Sequence, residues 1–124
     1  MTEPMKFNPT THTVGVGPDL LASLVPSRAD PPVAVNGLTI GIATMLENSP
    51  HGGEMHPDGD EVLYLISGRV NVVFEEENFA DIEMTPGDGL IVPQGEWHRV
   101  DILEPSQIVY ATPGPGGDYR PLQK

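Results

Sequence analysis

Turn chemistry interrupts the centre of this chain every few residues, and that spacing leaves room for little except short strands. From Gly37 to Leu46, the residues Leu38, Ile40, Ile42 and Leu46 recur with period 2, the mark of a strand with one apolar face. Further strand-like runs occupy 61–67, 69–75, 79–83, 89–92, 98–103 and 107–112. Between them stand Ser67-Gly68, Glu76-Glu77-Asn78, Thr85-Pro86-Gly87-Asp88, Pro93-Gln94-Gly95 and Glu104-Pro105-Ser106. With no helical period anywhere in this centre, the pattern predicts an all-β, antiparallel sandwich or barrel rather than βαβ units. The run Val62-Leu63-Tyr64-Leu65-Ile66 is apolar on both faces, so one face turns to the core and the other needs a cover. A second copy in a homodimer, or the N-terminal arm of the same chain, would supply it.

The 14 glycines and 14 prolines are unevenly spread, with prolines crowding the two ends. That distribution predicts one barrel over 31–113, an irregular N-terminal arm over 1–30, and a C-terminal tail over 114–124. The arm holds one short helical segment, Pro18-Asp19-Leu20-Leu21-Ala22-Ser23-Leu24, with proline before it and Pro26 after it. A length of 124 residues suits a single domain with a true core. Its lack of cysteine excludes disulfides, thiolate metal sites and a cysteine nucleophile. Any metal must then be held by imidazole and carboxylate. A formal net charge of -12 makes nucleic acid and anionic membranes poor partners. Neither a secretory leader nor an apolar run of membrane-spanning length is visible, so the expected location is cytoplasmic.

Three of the four histidines, His51, His56 and His98, lie beside glycine-rich or acidic turns, while His12 falls in the arm and is expected to be solvent-exposed and inert. In an extended Glu54-Met55-His56 the two polar side chains share a face. Glu61 opens the next strand on the face of Leu63 and Leu65, and His98 shares a face with Val100 and Ile102. Glu54, His56, Glu61 and His98 can thus point into one apolar interior, where ionisable groups are costly unless paired or bound to a cation. Two imidazoles with one or two carboxylates suit one divalent ion, Fe, Mn, Zn or Ni, with positions left open for substrate or water. The alternative is a set of scattered surface groups. Gly68, Gly87, Gly89 and Gly95 read as turn and close-packing glycines, Met45 and Met84 as core, Trp97 as packing, and Glu75-Glu76-Glu77 as a solvated hairpin tip. Tyr64 and Arg99 point away from the ligand face.

The stretch from Glu54 to Gly68 resembles the first cupin motif, G(X)5HXH(X)3,4E(X)6G: His56 matches the second histidine, four residues precede Glu61, and six more precede Gly68. Gly87, Pro93, Gly95 and His98 are similar, in register, to the second motif, G(X)5PXG(X)2H(X)3N. Asn48 and Ile102 replace the outer glycine and asparagine, and Glu54 stands in place of the first histidine. The resemblance implies a jelly-roll barrel with one metal ion on His56, Glu61 and His98. Glu54 is then a fourth ligand first, a general base second, with His51 a distant substitute ligand. It further implies an enzyme acting on a small oxygen-rich organic molecule, dioxygenase chemistry leading. The alternatives are a non-redox isomerase, cyclase or lyase using Glu54 to move a proton, a binding or sensing module, and a metal-free barrel with a hydrogen-bonded polar cluster.

Overall fold

Because successive side chains of a strand point to opposite faces, each long strand of this chain builds an inner and an outer surface at once. The computed structural model describes residues 3–75 and 79–121, and the turn expected at 76–78 lies outside them. Among the described residues nine strands occur in the order β1 (His12–Val16), β2 (Ala22–Pro26), β3 (Gly37–Met45), β4 (His51–Met55), β5 (Glu61–Phe74), β6 (Ile82–Met84), β7 (Gly89–Val92), β8 (His98–Gly114) and β9 (Asp118–Pro121). Every pairing is antiparallel. No helix among the described residues is long and apolar enough to cross a membrane.

Two long strands organise the rest. The first half of β5 and the last half of β8 belong to a layer ordered β2-β1-β3-β8-β5-β7. Their other halves belong to a second layer ordered β9-β4-β8-β5-β6. The corner between layers falls at Ser67-Gly68 and Glu104-Pro105-Ser106, expected from sequence to be turns. They are bulges inside continuous strands instead, with register shifts between Leu65 and Val70. Gly68 has φ +86, and a Cβ there would strike the Ser106 hydroxyl and the Pro105 carbonyl. The Ser106 hydroxyl accepts from the Arg69 amide at 3.1 Å and donates to the Glu104 carbonyl at 2.7 Å, replacing ladder bonds lost at the bend.

Leu63, Leu65, Val70, Val72, Phe74, Met84, Val92 and Ile108 form the core between the layers. Each such aliphatic side chain contributes about 1.5–3 kcal/mol by leaving water. Met84 is core as expected, and Met45 packs against it partly buried.

The ends of the chain differ from expectation. The helical segment at 18–24 is not a helix. Pro18 and Asp19 make a tight turn in which the Leu20 amide bonds the Gly17 carbonyl at 2.9 Å and the Leu21 amide bonds the Asp19 carboxylate at 3.0 Å. Leu20 takes φ 67, and both leucines face solvent, so a helix here would have had no core to bury against. The arm thus supplies a β1–β2 hairpin that extends the first layer, with Val14 opposite Leu24 and Ile40. The tail contributes β9 beside β4. On β3 the apolar face of Leu38, Ile40 and Ile42 points outward, while Thr39, Gly41, Ala43 and Met45 face inward.

Candidate metal centre

Four polar side chains reach the barrel interior from three strands and one loop. Glu54 lies on β4 opposite His98, the first residue of β8. Glu61 opens β5 and His56 sits one residue beyond β4. Two loops are stitched together to hold the histidines. The Gly95 amide donates to the His56 carbonyl at 3.0 Å, and the Gln94 side chain donates to the Pro57 carbonyl at 2.6 Å. Gly95 makes that approach at φ +79, which only glycine adopts freely. The Gln94 amide closes the stitch on the Asp60 carboxylate at 2.8 Å.

The ligand atoms of Glu54, His56, Glu61 and His98 all lie within 4.8 Å of one another. Glu61 is the hub. Its Oε1 is 3.2 Å from His98 Nε2, its Oε2 is 3.2 Å from His56 Nε2, and the Thr112 hydroxyl donates to Oε2 at 2.6 Å. Glu54 is looser, 3.5 Å from His98 Nε2 and 3.9 Å from His56 Nε2, with a side chain 23% exposed against 5% or less for the other three. His98 Nδ1 donates to the Glu96 carbonyl at 3.0 Å, which turns Nε2 into the cluster. Neither ring nitrogen of His56 has a hydrogen-bond partner, although the residue is buried.

Burial presses both imidazoles toward the neutral form, but the facing carboxylates Glu54 and Glu61 outweigh it and hold His56 at about 9 and His98 at about 10. Burial likewise presses Glu54 upward, and the two imidazoles bring it down to about 2. Glu61 is held below the usual carboxylate range by the same imidazoles, with help from Thr112.

These residues fit a divalent ion. Donors about 2.1 Å from one ion stand roughly 3.0–3.4 Å apart for angles between 90° and tetrahedral, and the two Glu61–imidazole separations of 3.2 Å fall in that range. His56 Nε2, which faces Glu61 and has no directed hydrogen bond, would be satisfied by such an ion, and the His98–Glu96 bond is the outer-shell contact that orients a ligating imidazole. Two carboxylates would neutralise the charge.

A cavity of about 190 Å³ opens beside Glu54 and Glu61, walled by Leu63, Val100, Ile108 and Tyr110. His51 also lines it, but its ring packs on Tyr119 at 4.9 Å and it stands outside the four-donor group. Tyr64 and Arg99 are exposed on the outer surface as expected, and Trp97 packs under the Arg120 guanidinium at 3.9 Å. Arg120 also pairs with Glu75, so the expected solvated tip begins with a tied carboxylate. His12, expected to be solvent-exposed, lies half-buried instead, because the arm forms strand β1.

Thr112, Tyr110 and Tyr119 escaped the sequence reading. Thr112 and Tyr110 share β8 parity with Ile108, a signal no different from ordinary core. Gly41 is the one local trace, since a Cβ there would meet the Tyr110 hydroxyl at 2.5 Å. The departures from the motifs meet in space: the Ile102 amide donates to the Asn48 side chain at 2.6 Å.

A family model described as cupin domain matches residues 42–110, more than half of the chain. The chain belongs to the cupin family. No curated protein matches it. Among solved structures, the cupin resembles a cupin-2 domain protein from Shewanella frigidimarina at 20% identity and TM-score 0.54, covering 66% of this chain and 76% of that one. It resembles oxalate oxidase in complex with the substrate analogue glycolate at 14% identity and TM-score 0.55, covering 67% and 46%. The DMSP lyase DddQ from Ruegeria pomeroyi is similar at 18% identity and TM-score 0.55, covering 70% and 45%. The chain thus spans under half the length of these two enzymes. At such identities the likeness is one of fold, and it agrees with a jelly-roll barrel.

Proposed function

We propose that this cupin is a metal-dependent enzyme acting on a small, oxygen-rich organic molecule. The convergence of His56, Glu61 and His98 on one point beside the cavity carries the reading. That set is two imidazoles and one carboxylate, the arrangement used by non-haem iron oxygenases, so dioxygenase-type chemistry leads. A bound divalent ion supplies Lewis acidity and, as iron, manganese or nickel, redox capacity.

The chain's own residues do the rest. His56, Glu61 and His98 hold the ion, and Thr112 and the Glu96 carbonyl orient two of those side chains. The cavity admits about six water volumes, which limits the substrate to a few heavy atoms. Leu63, Val100, Ile108 and Tyr110 wall it and exclude bulk water.

Glu54 favours a second reading. It is the most exposed of the four, makes the longest contacts and borders the cavity, so it can act as a fourth ligand or leave the cluster and take a proton from substrate. That places non-redox isomerase, cyclase or lyase chemistry next. Both an oxidase and a lyase occur among the similar structures. A binding or sensing module would use the same cavity without turnover. The test is to load the protein with Fe(II) or Zn(II) and offer small hydroxy- and dicarboxylic acids, following oxygen uptake and product. Oxygen uptake with iron supports the first reading, and oxygen-independent turnover lost in Glu54→Gln supports the second. Binding without turnover under every metal leaves the module.

A further inference from the structure

The four-donor cluster borders two pockets that share no lining residue. Glu54 and Glu61 line the cavity of about 190 Å³ inside the barrel, and His56 lines a second pocket of about 340 Å³. His56 Nε2 and Glu61 Oε2 are 3.2 Å apart, so the two pockets approach each other at the cluster. Every residue around the first cavity falls within 42–110, the stretch common to the family. Around the second pocket, every residue except His56 falls outside it. This pocket is therefore the chain's own addition to a shared barrel.

Its walls are Val33 and Val35 from the connection between β2 and β3, Pro113 near the end of β8, Pro115 just beyond it, and Tyr119 on β9. Close approaches hold them over the metal centre. A Cβ on Gly114 would meet the Val35 carbonyl at 2.8 Å, so glycine lets the two wall segments touch. The Gly116 amide donates to the Asp58 carboxylate at 2.5 Å, which ties the segment after β8 to the loop carrying His56. A Cβ on Gly117 would stand 3.5 Å from His56 Nδ1, so this segment passes directly over the imidazole. Tyr119 is in register with Glu54, and its ring packs at 4.9 Å on His51, a residue of the first cavity.

The chemistry of the walls selects what can enter. The chain has 18 acidic and 6 basic residues, yet none of them lines this pocket. A charged group would lose water there without gaining a counter-ion. An aliphatic or aromatic group would gain by leaving water, against valine, proline and the tyrosine ring. Size points the same way: small-molecule sites run to about 300–1,000 Å³, a range that the first cavity alone does not reach and the second pocket does.

We propose that the second pocket holds the uncharged, aliphatic or aromatic part of the molecule whose oxygen-rich end meets the ion. The inference rests on the metal-dependent reading above and extends it. The limit of a few heavy atoms applies to what the first cavity encloses, and the remainder of the substrate lies between Val33, Val35 and Tyr119.

Calorimetric titration of the zinc-loaded chain with two acids of the same 2-hydroxy head tests this. Glycolate is the head alone, and mandelate adds a phenyl ring. Mandelate binds at least about tenfold tighter than glycolate. Ala34→Trp, which fills the second pocket, brings mandelate back to the affinity of glycolate and leaves glycolate unchanged. If Ala34→Trp alters the circular dichroism spectrum, Val33→Trp in the same wall serves in its place. Glycolate that binds only with zinc present, with no gain from the phenyl ring, overturns this inference and leaves the metal-dependent reading standing. A mandelate advantage that survives the tryptophan variants also overturns it. If neither acid binds the zinc-loaded chain better than the metal-free chain, both fall together.

Discussion

The two ends of the barrel interior are built by the same strands and have opposite characters. From the corner toward the mouth, alternate residues of β5 read Leu65, Leu63, Glu61 in one layer and Val70, Val72, Phe74 in the other. On β8 they read Ile108, Tyr110, Thr112 and Ile102, Val100, His98. The corner is filled by side chains that need only each other. At the mouth, a cavity remains and four ionisable groups face one another. Packing of the first end stabilises the fold, so the second can hold a polar cluster that would otherwise be a liability.

If that division is right, the two ends respond to different insults. Leu65→Ala at the filled end, 2% exposed and away from the cavity wall, lowers unfolding free energy by about 2–5 kcal/mol, read by denaturant titration, while metal stoichiometry of the folded fraction is unchanged. Thr112→Val at the mouth does the reverse. It removes the donor to Glu61, weakening metal affinity roughly 10–100-fold in a chelator competition and leaving the denaturation midpoint nearly where it was.

Acidity separates the ends further. In the metal-free protein His56 and His98 lie at about 9 and about 10, above the ordinary 6.5, so their contribution to stability is full below 6.5 and is lost as pH rises through those values. Glu54 lies at about 2, below the ordinary 4.5, so its contribution is present above 4.5 and is lost as pH falls toward 2. The metal-free melting temperature is therefore highest between about pH 4.5 and 6.5. A bound ion requires neutral imidazoles, which moves the maximum upward and releases protons on binding near neutral pH, up to about two per ion. Calorimetry in buffers of different ionisation enthalpy reads that release. The smallest effect belongs to Asn48→Ala, which strips the Ile102 amide of its acceptor and costs about 0.5–1.5 kcal/mol with metal content unaltered.

Much of the mouth was legible in the sequence because it is written in spacing. Strand parity pairs Glu54 with His56 and sets Glu61 and His98 on inward faces, and the motif intervals place them at strand starts. The central strands were legible for the same reason. What was not legible depends on long-range pairing. Gly68 and Pro105 read as turns, yet opposite each other they bend two continuous strands. Pro18-Asp19-Leu20-Leu21 has a helical composition, but β3 offers an edge that the flanking residues extend as a hairpin. β9 follows a Gly-Pro-Gly-Gly run with no apolar alternation, and only the exposed edge of β4 makes it a strand. Period 2 revealed that β3 has an apolar face without revealing that it points outward.

The most direct test of the account is the metal content of protein purified without chelator or histidine tag and then reconstituted with Fe(II) or Zn(II). The account predicts close to one ion per chain, lost in His56→Ala while the circular dichroism spectrum is kept. No ion in the reconstituted protein, or equal binding by His56→Ala, would contradict it.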